Sequence, residues 1–253
     1  MNPSQPVLRT LAFGDLERGL WGAAWLPVDD GPALTALGGD GSVTFGSGLR
    51  LSSDGDAGDW RLDGEGAALT VVAVGDAVAI AATDDRVEGF DQLCRVAGRV
   101  ALAGAEVEIE SLGLRTSRSG AFDLGKLESV RSVSTWFEPD EGIALMALRA
   151  RKAKAHDGDV ITAAVLGPEA SAAVEDPRLS TTYDAGGWPV RAGLELWIAR
   201  EGEDEPYPRR ASGEAMGARA ESADGELELR AEPFRWHSRG RDGAGIYMLA
   251  RRR

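Results

Sequence analysis

Short apolar runs recur along the chain, and nearly every one is bounded by glycine, aspartate or proline. Runs of that length between turn formers predict strands. The first two, residues 7–13 and 20–28, read as strand, tight turn, strand, with Trp21 and Trp25 spaced for one wall. Pro27 and the Asp29-Asp30-Gly31-Pro32 cluster close the hairpin. The stretches ALTALG, SVTFG and LRLS follow, separated by Gly39-Asp40-Gly41 and Ser53-Asp54-Gly55, and Asp-Gly between alternating residues is a hairpin signal. Residues 60–62 and 68–74 extend this meander, with 77–82 expected beyond a Gly75-Asp76 turn.

Residues 86–93 form a polar break, which sets the expected domains at 1–92 and 93–253. After it, 96–102 and 107–109 pair across Ala103-Gly104, the second run alternating apolar and acidic residues as a half-wet strand does. Residues 129–137 and 143–148 make another hairpin, and 160–166 is the next strand. The run 168–188 is the least regular. Strands resume at 194–199, with 211–220 readable as strand or short helix and 226–231 alternating. The chain closes through PFRWHSRG, an expected turn at Asp242-Gly243, and GIYMLARR. The sum is an all-β protein.

Composition narrows the functions. Of 253 residues, 43% are hydrophobic and 27% charged, too apolar for disorder. A net charge of -13 repels phosphate backbones and anionic lipid surfaces, so no nucleic acid partner is expected. The single cysteine, Cys94, reads as a small buried hydrophobe and excludes an internal disulfide. With no signal-peptide pattern in MNPSQPVLRT and no membrane-length apolar stretch, the expected compartment is cytoplasmic.

Cofactor and metal signatures are weak. Gly120, Gly125 and Lys126 match part of a phosphate loop, but Leu127 stands where the magnesium-binding hydroxyl belongs, so no cofactor is expected. His156 and His237 are the only histidines and lie far apart, so no metal site is expected. His237, beside Trp236 on a predicted strand, is the better candidate general acid or base, weighed against a structural histidine. Trp136, Phe137, Trp197, Phe234, Trp236 and Tyr247 all fall on predicted strands, where they either pack a core or line a cavity for an apolar ligand.

The central stretch has a distinctive layout: residues 107–109, a turn with Gly113 and Arg115 that ends in Gly120, then a strand carrying Arg131 and the pair Trp136-Phe137. With the closing GRDGAGIYMLARR, it resembles the carotenoid hydratase family (hydroxyneurosporene synthase) and its AttH-like relatives. The resemblance covers the chain from Gly98 onward and implies two lipocalin-like antiparallel β-barrel or half-barrel domains around a hydrophobic cavity. Where the family turn reads Arg-Asp-His-Ser-Trp-Gly, this chain has Arg115-Thr116-Ser117-Arg118-Ser119-Gly120. Aspartate, histidine and tryptophan are gone, and a hydroxyl is too weak an acid to protonate a double bond.

The leading expectation is therefore a protein that binds a hydrophobic small molecule of isoprenoid, polyketide or steroid-like type. Arg115, Ser117, Arg131, Trp136, Trp236 and Tyr247 are the expected ligand contacts. Arg115 and Arg131 either anchor a ligand oxygen or pair with Asp123 and Glu128. Two alternatives stand beside it: a hydratase, cyclase or isomerase in which Asp123 or His237 donates a proton, and a non-catalytic interaction module.

Overall fold

The computed structural model describes residues 8–27, 34–39, 42–45, 50–53, 58–64, 66–81, 87–119, 126–151, 153, 159–168, 171–198, 207–224 and 227–252. Its strands are β1 (Leu8–Asp15), β2 (Leu20–Pro27), β3 (Leu34–Gly39), β4 (Ser42–Phe45), β5 (Arg50–Ser53), β6 (Trp60–Gly64), β7 (Ala67–Ala81), β8 (Glu88–Leu102), β9 (Ala105–Ser119), β10 (Leu127–Phe137), β11 (Glu141–Ala150), β12 (Asp159–Leu166), β13 (Ala172–Ala173), β14 (Asp176–Tyr183), β15 (Pro189–Ile198), β16 (Tyr207–Ala215), β17 (Ala220–Asp224), β18 (Leu227–Ser238) and β19 (Arg241–Arg252). Among the described residues no helix is long and apolar enough to cross a membrane.

Two curled antiparallel sheets contain all of these strands. The first runs β4-β3-β2-β1-β9-β8-β7-β6-β5 and the second β13-β12-β11-β10-β19-β18-β16-β15-β14, with β17 on β18. The orders match: a four-strand meander, then the last strand of the half returning to pair with its first. The chain is thus a tandem of two half-barrels, as the resemblance implied.

The division between them falls later than the polar break suggested. Strand β8 passes straight through residues 88–93, and β9 still belongs to the first sheet. The polar residues there are not a linker, because Asp91 and Gln92 are buried and bonded to arginines. The second sheet begins at Leu127.

Two turns also move. Val71 to Val78 is continuous strand with a bulge, where Gly75 takes φ 70° instead of reversing the chain. The last hairpin turns at Arg239-Gly240, both at positive φ, and Asp242-Gly243 lies inside β19. Gly243 is there for close approach: a Cβ on it would fall 2.5 Å from the Phe137 ring. The same device recurs where Trp21 lies over Gly38 and Trp236 over Gly213 and Gly245. Missing side chains let an indole lie flat on the sheet.

Three apolar clusters follow from the two-residue side-chain period. One fills the first half-barrel around Leu11, Phe13, Trp60, Phe90 and Cys94. One fills the second around Val133, Phe137, Phe234, Trp236 and Tyr247. The third lies where the sheets meet, and joins Trp21, Trp25 and Leu114 to Trp136, Met146 and Met248. Strands β1, β9, β10 and β19 therefore bury both faces. Each fully buried large side chain contributes about 1.5 to 3 kcal/mol.

Candidate functional site

Inside the first half-barrel the central polar group is Arg115, which is 0% exposed. Its Nε and Nη2 donate to Gln92 Oε1 at 3.1 and 2.6 Å, and Nη1 donates to the Gly58 carbonyl at 2.6 Å. The guanidinium sits over Trp60 at 5.1 Å and Phe90 at 5.8 Å, and burial lowers its pKa from the ordinary value. Ser117 lies two residues on along the same strand, buried opposite Phe90. Burial pushes the Cys94 thiol up to about 12, the nearby Arg115 charge opposing it, so the thiol is an unreactive hydrophobe.

The second half-barrel shows its chemistry row by row across β10, β19 and β18. From one end, the interior rows are Ser129, Arg251, Glu228; then Arg131, Leu249, Arg230; then Val133, Tyr247, Glu232; then Thr135, Gly245, Phe234. Trp236 follows Phe234 on the same face. The first two rows are charged, three arginines against Glu228, with Asp159 of β12 as a further partner. Arg131 pairs with Asp159, to which Arg149 adds a contact at 3.7 Å, while Glu228 holds Arg230 and, at 3.2 Å, Arg251. The far rows are aromatic, with Phe234 stacked on Trp236 at 5.8 Å and tilted against Tyr247 at 5.6 Å.

Glu232 and Tyr247 stand at the boundary between these two zones, both 0% exposed. Tyr247 Oη is 3.0 Å from Thr181 Oγ1 on β14, and burial raises the phenol's pKa. Glu232 Oε1 accepts from Gly217 N at 3.2 Å and Arg219 Nε at 3.4 Å, yet burial outweighs Arg219 and the carboxyl's pKa is raised. Three buried polar atoms in this zone have no partner among the described residues: Glu232 Oε2, Thr135 Oγ1 and Trp236 Nε1. Thr135 pairs across from Gly245, over which the Trp236 indole lies, so two of them converge.

The expected ligand residues are thus divided among three compartments. Arg115 and Ser117 face the first interior, Trp136 faces the junction, and Arg131, Trp236 and Tyr247 share the second interior. Arg131 does form an ion pair, but with Asp159; Glu128 is exposed. Asp123 and His156 lie outside the described residues. His237 does not face the interior: its ring is 57% exposed and bonds Asp242 at 2.9 Å. It borders two open outer grooves of about 500 and 640 Å3, floored by Ser180, Gly193 and Ser212. The first groove is also lined by Trp236, at the edge of the aromatic zone, while the second is lined by none of its rings.

Sequence reasoning missed Glu232, Thr135 and Thr181. The signal was present in LELRAEPFRWH, where Glu228, Arg230 and Glu232 share a parity with Phe234 and Trp236. The alternation over 226–231 is legible, but not which face is the interior: the charged side faces it, and Leu229 and Ala231 turn to the junction.

No protein-family model and no curated relative matches the sequence. Solved structures do match over nearly the whole chain. An AttH-type protein from Nitrosomonas europaea superposes with a TM-score of 0.67 at 9% identity, covering 98% of this chain and 93% of the other. CghA, solved with Sch210972, gives 0.66 at 14% identity, covering 98% and 88%. Kievitone hydratase from Nectria haematococca gives 0.55 at 8% identity, covering 98% and 89%. At these identities the likeness establishes the tandem lipocalin-like fold.

Proposed function

We propose that this chain binds a hydrophobic small molecule, of isoprenoid, polyketide or steroid-like type, inside its C-terminal half-barrel. Phe234, Trp236 and Tyr247 supply the apolar contact, and Arg131 stands at the charged end. The observation that carries this reading is the pair of unpartnered polar atoms, Trp236 Nε1 and Thr135 Oγ1, in an aromatic interior. Leaving a buried donor or acceptor unsatisfied costs about 1 to 3 kcal/mol, and a ligand oxygen removes that cost. Arg115 and Ser117 present a second, separate polar interior in the other half. The fold neighbours support the reading, since CghA is solved with Sch210972 and another is named kievitone hydratase.

A second reading keeps proton-donating chemistry, as a hydratase, cyclase or isomerase of such molecules. Glu232 supports it better than His237: the carboxyl is enclosed and its pKa raised, whereas the imidazole is wet.

The test is fluorescence titration of the protein with the neutral carbonyl dye prodan, followed by competition with lipophilic extracts. Saturable binding, weakened about five- to tenfold in Trp236→Phe, is the expected result, that being one neutral hydrogen bond. No saturable binding, or binding as tight as wild type in both Trp236→Phe and Thr135→Val, contradicts it.

A further inference from the structure

We infer that Glu232 is held in the interior as a neutral carboxylic acid whose Oε2–H is offered to an acceptor oxygen on the bound molecule. The site then selects hydrophobes bearing a carbonyl or ether oxygen and releases them as pH rises. This deepens the binding function proposed above and rests on it.

The geometry separates the two carboxyl oxygens. Oε1 is occupied by Gly217 N and Arg219 Nε, while Oε2 is buried without a partner, in a side chain only 1% exposed. An ionised oxygen in that position is an unsatisfied buried charge; a protonated one is a buried donor still without an acceptor. Tyr247, directly across the β18/β19 pair, makes no hydrogen bond to Oε2, and its phenol bonds Thr181 instead.

The N-terminal half-barrel provides an internal comparison. Leu11 and Val133 each lie four residues before the end of the first strand of their halves. Leu11 leads across to Arg115 and then Gln92, as Val133 leads to Tyr247 and then Glu232. In the first half the amide oxygen of Gln92 receives two guanidinium bonds. In the second the corresponding acid has a phenol opposite it and one oxygen unspent.

The charged and titratable neighbours do not supply a dedicated counter-charge. Arg219, on the loop before β17, is 36% exposed and divides itself between Glu232 at 3.4 Å and Asp184 at 2.8 Å. Asp184, past the end of β14, opposes ionisation of Glu232. Arg230, two residues back on β18, is engaged by Glu228, and Arg131 beyond Tyr247 by Asp159. Tyr183 adds a second phenol near Tyr247. Burial dominates, which favours the proton.

The experiment uses the full chain and two neutral probes, prodan, which has a carbonyl acceptor, and the hydrocarbon diphenylhexatriene, which has none. Affinities are measured from about pH 5 to about pH 9, upward from the ordinary glutamate value. Prodan binding is expected to weaken about tenfold or more with rising pH while diphenylhexatriene stays flat, and Glu232→Gln, which keeps a donor, should bind prodan with no such pH dependence. An infrared protonated-carboxyl band that persists above the ordinary glutamate range, absent in Glu232→Gln, gives a readout independent of ligand. Identical pH profiles for both probes, a pH dependence that survives in Glu232→Gln, or a missing carboxyl band overturns the inference. Failure of both probes to bind at every pH overturns the binding reading beneath it, and is a different pattern from these.

Discussion

Arg118 and Asp91 form an ion pair sealed on the junction side of the first sheet. The guanidinium Nη2 lies 2.8 Å from the carboxylate, and the two side chains are 1% and 0% exposed. Arg118 Nη1 donates to the Phe90 and Ser117 carbonyls at 2.8 and 3.0 Å. Beside it, Thr10 and Thr116 share a hydroxyl bond at 2.7 Å. The face that joins the half-barrels is therefore greasy, with a few buried polar contacts set into it.

Removing one partner of that pair strands the other charge in a low dielectric. Asp91→Ala should cost about 3 to 5 kcal/mol, and the volume-matched apolar double replacement Asp91→Leu with Arg118→Met should recover most of it. Urea unfolding of the wild type and the two variants checks this. Equal losses in the single and double replacements would contradict it.

Glycines under Trp236 make a second prediction. A Cβ at Gly213 would meet the movable indole at 2.8 Å, whereas one at Gly245 would meet the Ser134 carbonyl at 2.4 Å as well as the indole. Gly213→Ala should destabilise by about 1 to 3 kcal/mol and be rescued by Trp236→Leu; Gly245→Ala should resist that rescue, since backbone cannot step aside. Thermal denaturation of the double-mutant cycle decides between them.

Glu232 gives stability a pH signature. Its folded pKa is raised, so between the unfolded glutamate value of about 4.3 and that raised value the folded state holds the extra proton. Stability from this group is full below about 4.3 and falls as pH rises through the window. Asp184 acts in the opposite sense, its pKa lowered by backbone N–H bonds from Trp188 and Gly186 and by Arg219. The difference between wild type and Glu232→Gln isolates the first effect: the variant should gain relative stability as pH rises, and a constant difference would contradict the account.

Cys94 offers a simple check on the first interior. A buried thiol with its pKa near 12 carries almost no thiolate at neutral pH, so an aromatic disulfide reagent should label the native chain no faster than it unfolds. Rapid labelling would show that the Trp60 and Phe90 cluster is open.

Strand content was legible because apolar runs and turn residues punctuate the chain, and Ala103-Gly104 turns as expected, with both residues at positive φ. What misled were glycines serving close approach, as at Gly243, and polar residues that are buried on purpose, as at Asp91 and Gln92. A local pattern reports turn chemistry but not which distant sheet covers a face. For the same reason Trp236 and Tyr247 stood out by size, while Thr135, Thr181 and Glu232 gained meaning only once β10, β14 and β18 were seen around one interior. His237 stood out by rarity and turned out to face solvent.

The most direct test of the proposed interior site follows the Trp236 indole N–H by two-dimensional NMR, assigned with Trp236→Phe, as prodan is added. A saturable shift of that resonance, with Trp60 in the other half-barrel undisturbed, is the predicted result. A Trp236 signal that stays fixed while the dye binds would place the ligand elsewhere and contradict the account.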